Sequence, residues 1–168
     1  MPVTVFSYLP RRRFLMLTGI GLASGLTACK TTDILPSGDD MARAETGGAL
    51  PLVNTLRNGK ELPTLEYSRI AETAALSQAR RMARAGEMSH LIGRGDDFLS
   101  RMKSMGVPLP ASENIAAGQS QVADAVEAWI RSEKHLHNML GAYHGLGVAV
   151  AHNSSSANRP YWAMVLAS

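Results

Sequence analysis

The chain has a single cysteine, Cys29, at the close of an N-terminal segment that reads as an export signal. Whatever folds beyond it therefore has no disulfide to lean on and must hold together by its apolar core alone. Three arginines, Arg11 to Arg13, precede an apolar run from Phe14 to Leu26. That run falls short of the roughly 20 apolar residues that cross a bilayer. Arg11-Arg12-Arg13-Phe14-Leu15 carries the core of a twin-arginine signal, and an ordinary secretory route would serve as well. Leu26-Thr27-Ala28-Cys29 resembles a bacterial lipobox, in which small residues fit the peptidase and the thiol takes up a diacylglyceryl group. Each buried methylene contributes ~0.8 kcal/mol, so two or three acyl chains on Cys29 would anchor the protein to a membrane. The expected location is the cell membrane or the outer membrane, facing the periplasm. Lys30, which is not an aspartate, favours sorting away from the inner membrane.

Residues 1–29 are thus set aside as signal peptide. Residues 30–48, rich in Thr, Asp, Ser and Gly without an apolar period, read as a flexible tether. Residues 49–168 read as one folded domain. Domains near 150 residues bury about 68–70 % of the surface of the unfolded chain, and roughly 120 residues suffice for a core without cross-links.

The basic balance of the whole sequence, 17 Lys and Arg against 14 Asp and Glu, misleads. Every acidic residue follows Cys29 and three of the arginines precede it, so the processed chain is close to neutral. Nucleic-acid binding needs clustered positive charge, and this chain offers none on that scale. The one local cluster, Arg80, Arg81 and Arg84, reads as a solvated helix face.

Periodicity supplies the elements. Leu50, Val53, Asn54 and Arg57 mark a short helix ending near Asn58-Gly59, where a left-handed cap is expected. Ala71, Ala75, Ala79 and Met82 form one apolar stripe on a longer helix over about 66–85. Asp96-Asp97 reads as the start of a helix that stops before Gly106 and Pro108. Val122, Ala125, Val126, Trp129 and Ile130 follow the strongest amphipathic pattern. Leu146 to Ala151 and Tyr161 to Ala167 read as strands joined by a polar loop. Helices around a small antiparallel sheet make an α+β fold.

Several motifs recur in a fixed order: Met88-Ser89-His90, Glu113-Asn114-Ile115-Ala116, and Trp129 to His135 with Asn138 and Leu140. Gly145-Leu146-Gly147-Val148 and Tyr161-Trp162 complete the series. This series resembles the CAP superfamily of cysteine-rich secretory, antigen 5 and pathogenesis-related proteins, in its short bacterial form, over about residues 49–168. The resemblance implies an α/β/α sandwich with a small central antiparallel sheet flanked by helices. It also implies a cleft of two histidines and two acids. His90, Glu113 and His135 match three of these positions. Ser132 stands where many eukaryotic relatives carry the second acid, and Glu133 is the neighbouring carboxylate, rotated by about 100° on a helix.

Two imidazoles and a carboxylate support three chemistries. His90, Glu113 and His135 could ligate zinc or another divalent metal. Without metal they could move protons, as in an envelope hydrolase acting on peptide or cell-wall material. Or they could form a hydrogen-bonded network, either beside a cleft for a small apolar or lipid-like ligand or with a purely structural role in an envelope protein. The reading favours binding over catalysis, with no cofactor required, and leaves the oligomeric state open. His137, His144 and His152 read as surface or loop residues, Trp129 as core, and Trp162 as core or cleft lining.

Overall fold

A computed structural model describes residues 40–168, which lie within one compact unit. The export signal, Cys29 and residues 30–39 fall outside the described residues.

The chain runs β1 (Asp40–Ala44), α1 (Thr46–Asn58), β2 (Glu66–Tyr67), α2 (Arg69–Ala85), α3 (Phe98–Ser104) and β3 (Ala111–Ala117). It continues through α4 (Val122–Ile130), α5 (Glu133–Met139), β4 (Gly145–Asn153), a 3₁₀ turn at Ser154–Ser156 and β5 (Tyr161–Ala167). The sheet order is β1-β4-β5-β3, all antiparallel, and the two residues of β2 add parallel to the start of β4. Buried side chains alternate along β5. Ala163, Val165 and Ala167 join the alanine stripe of α2 on one face, and Trp162, Met164 and Leu166 join α1 and α4 on the other. This is the expected α/β/α sandwich.

Small side chains set the layer spacing. Ala71, Ala75, Ala79 and Met82 are fully buried, as their stripe predicts. At Gly147 of β4 an added Cβ would lie 2.0 Å from the backbone nitrogen of Glu72, so helix and strand meet backbone to backbone. α2 starts at Ser68, whose hydroxyl accepts from the Ala71 amide, and ends at Gly86 in the left-handed conformation with φ of 67°.

Three expectations need correction. The tether does not reach residue 48: Asp40–Ala44 pair with Ala149–Asn153, and Thr46 already opens α1. The ladder with β4 supplies the order that local composition lacks. Gly59 is right-handed, with φ of −66°, because the chain turns through Lys60 to Leu62 on hydrogen bonds to the end of α1. Arg81 is no solvated arginine; it pairs with Asp96 and donates to the Ile92 carbonyl at 2.7 Å.

Candidate functional site

Consecutive residues of β3 face opposite sides of the sheet, and the site is built on that alternation. Glu113 points to the α2 and α3 side, where its carboxylate is only 2 % exposed. Its Oε1 contacts Nδ1 of His90 at 2.9 Å and accepts from Nη2 of Arg101 at 3.0 Å, while Oε2 accepts from Nη1 of Arg101 at 3.1 Å. A planar guanidinium across a carboxylate in this two-point manner is the strongest ion-pair geometry available to these groups.

The segment carrying His90 has no regular structure, and neighbouring side chains hold it by its backbone. Gln78 donates to the Ser89 carbonyl at 2.8 Å, Arg101 to the His90 carbonyl at 3.3 Å, and Arg81 to that of Ile92. Asp96 accepts from the Ile92 amide at 3.1 Å and pairs with Arg81. The neighbouring Asp97 caps α3 by accepting from the Ser100 amide, so the predicted helix start is also the anchor of the loop. With Nδ1 turned to Glu113, His90 presents Nε2 outward, and its side chain is 47 % exposed.

Asn114 points to the other face. It is fully buried, donates to the His135 carbonyl at 3.0 Å and accepts from Asn138 at 2.8 Å, which fixes α5 against the sheet. His135 is half-buried. Burial first, and the charge of His90 second, pushes its pKa below the ordinary histidine value. Both histidines line an open cavity of about 610 Å³, with Glu113, Glu133, Lys134, His137 and Asn138 completing the wall.

The structure therefore brings His90, Glu113 and His135 to one cleft, as expected. Of the two candidates for a fourth residue, Glu133 lines this cleft. Ser132 lies in an adjoining groove of about 250 Å³ that shares His135, and its hydroxyl caps no amide of α5. His137, expected at the surface facing away, is exposed yet belongs to the cleft wall, because that wall runs along α5 from Glu133 to Asn138. His144 and His152 stay outside it, His152 contacting the Asn158 carbonyl at 2.9 Å. Trp129 and Trp162 are both core, their indole nitrogens donating to the carbonyls of Ile115 and Gln119.

The metal set expected from the sequence fits poorly. Among the described residues no three His, Cys, Asp or Glu side chains are grouped as a metal site. Glu113 is buried and engaged with Arg101 and His90, so it orients an imidazole and is not free to ligate. Sequence reasoning missed Arg101, Arg81 and Gln78. Arg101 lies three residues after the expected Phe98 helix start, but nothing in its spacing marks it as the partner of a glutamate one strand later.

The profile of the cysteine-rich secretory protein family, CAP, matches residues 50–166. Among solved structures the chain is similar to an extracellular protein containing an SCP domain from Bacillus anthracis str. Ames, with a TM-score of 0.63 and 24 % identity. That match covers 72 % of this chain and 39 % of the other, so this chain spans well under half of that relative. An outer surface protein from Borrelia burgdorferi gives a TM-score of 0.61 at 18 % identity, over 76 % of this chain and 98 % of that one. A cysteine-rich secretory protein from Staphylococcus aureus subsp. aureus Mu50 gives 0.54 at 14 % identity, covering 73 % and 38 %. No curated protein matches the sequence. With its profile matched from the first helix through the last strand and its sandwich shared by these structures, the chain belongs to the cysteine-rich secretory protein family, CAP.

Proposed function

We propose that this is an exported, lipid-anchored protein of the bacterial cell envelope whose cleft at His90 and His135 binds a small ligand. The observation that carries the reading is the delivery of two imidazoles, from segments on opposite faces of the sheet, to one open cavity of about 610 Å³. Glu113 and Asn114 fix the two segments from below, so the histidines are preorganised and little ordering cost remains for a ligand.

Export and anchoring rest on the arginines, the apolar run and Cys29 of the N-terminal segment. The engaged state of Glu113 favours a ligand held by imidazole and amide hydrogen bonds over a metal held by His90, Glu113 and His135. It also disfavours proton transfer by that carboxylate. Ser132 is no better placed for catalysis, since its hydroxyl bonds no base among the described residues.

The test is mass analysis of the small molecules and metals that leave the full-length protein on denaturation, after purification from its native envelope. A small organic molecule released from the wild type and absent from His90→Ala and His135→Ala would support the reading. Identical released material from all three proteins would defeat it. Stoichiometric zinc lost in both variants would replace it with the metal reading.

A further inference from the structure

We propose that the free edge of β3 binds an extended peptide by strand addition, in a groove that continues the histidine cleft. Among the described residues β3 pairs only with β5, so one of its edges has no described strand beside it. Gly118 donates to Pro160 and Ser168 to Pro110 at the two ends of this ladder, and both pairs fall on even-numbered residues of the β3 side. In an antiparallel ladder such pairs recur at every second position. The even residues therefore turn their amides to β5, and Glu113, Ile115 and Ala117 turn theirs to the open edge.

Two side-chain contacts agree with this parity. Trp129 donates to the Ile115 carbonyl at 3.0 Å, and Arg159 reaches the Ala117 carbonyl at 3.5 Å. By this parity the amide N–H groups of Glu113, Ile115 and Ala117 point away from β5, and no turn, loop or side-chain group among the described residues accepts from them. They form a row of donors about 6.8 Å apart, the distance at which an extended chain repeats its carbonyls along one edge.

The walls suit a peptide. The cavity of about 610 Å³ at Glu113 and the groove of about 250 Å³ at Ile115 to Ala117 share His135, which makes them neighbours along the same edge. Met88 and Trp129 line the second groove, and Arg159 stands in its wall beside Ala117. The Gln119 side-chain oxygen, in that same wall, is buried with no hydrogen-bond partner. A row of donors, an unmet acceptor and a guanidinium together match a peptide that offers alternate carbonyls, an N–H and a carboxylate. The Ile115 carbonyl is already capped by the buried Trp129 indole, so the peptide would be held through the outward amides of this edge and not through that carbonyl. The proposal shares a wall with the ligand cleft above but rests on backbone groups, and the two fail separately: His90→Ala should empty the cleft and leave the edge intact.

The test uses the full-length protein in detergent and a degenerate pool of fluorescein-labelled hexapeptides with free carboxyl ends. Retention of peptide is expected, with slowed hydrogen exchange at the amides of Glu113, Ile115 and Ala117. Ala117→Pro removes one outward donor at the end of an edge strand, where proline is tolerated. It should weaken binding about fivefold to tenfold, the loss of one hydrogen bond. Arg159→Gln should abolish the preference for free over amidated carboxyl ends while circular dichroism stays unchanged. No retention from the pool overturns the proposal, and so does retention without protection of these amides. Protection that appears in the protein alone and rises with its concentration would assign the edge to a second copy of the chain and overturn the peptide reading.

Discussion

Glu113 and Asn114 are neighbours on β3 that face opposite sides of the sheet, and each fixes one of the two cleft histidines. Glu113 holds the ring of His90, 2.9 Å away, and Asn114 holds the backbone of His135 at 3.0 Å. One strand thereby sets the separation of two imidazoles that are far apart in sequence.

Arg101 is the support on which the first half of this device rests. Its removal leaves a carboxylate, 2 % exposed, without its countercharge. Arg101→Ala should destabilise the fold by about 3–5 kcal/mol in urea denaturation. Adding Glu113→Gln should recover much of that loss, since a neutral amide is cheaper to bury. A double variant no more stable than Arg101→Ala would refute the ion-pair account.

Asn114 is buried with both ends of its amide engaged. Asn114→Ala strands the amide of Asn138 and the carbonyl of His135, and should cost about 2 kcal/mol. Chemical shifts should change mainly along α5, with β4 and β5 little affected. A uniform response across the sheet would contradict a local positioning role.

Gly147 has no room for a side chain, because its Cβ would meet the α2 backbone at 2.0 Å and 2.2 Å. Backbone cannot rotate aside as a side chain can. Gly147→Ala should cost about 3 kcal/mol, at the upper end for overpacking, and lower the thermal midpoint accordingly. A midpoint within error of the wild type would show that the layers are looser than described.

Burial, reinforced by the charge of His90, lowers the pKa of His135 in the folded protein. The unfolded chain, with its histidine near 6.5, then binds a proton that the native state resists. Stability is thus full above about 6.5 and is lost as pH falls through that value toward the lowered folded one. His135→Gln should flatten this decline in thermal midpoints measured from acid to neutral pH. An unchanged slope in the variant would place the titrating group elsewhere.

Cys29 is expected to carry the lipid that retains the protein. Cys29→Ser should move the protein from the membrane pellet to the soluble envelope fraction. Continued retention in the pellet would rule out the anchor.

The sequence by itself determined most of the segments that become helix and strand, because those choices depend on periods of 3.6 and 2 that are printed in the order of residues. The alanine stripe of α2, the Asp97 cap and the last two strands were all legible in this way, and motif order identified His90, Glu113 and His135. Only the tertiary structure decided what Glu113 does. Arg101, Arg81 and Gln78 lie on two different helices, and nothing local says that they converge on one loop and one carboxylate. The strand at residues 40–44 was hidden for the same reason, since its stability comes from a ladder with a partner more than a hundred residues away. Contacts across the sheet are made by folding, and the energy that fixes them is shared between residues that no sequence window contains.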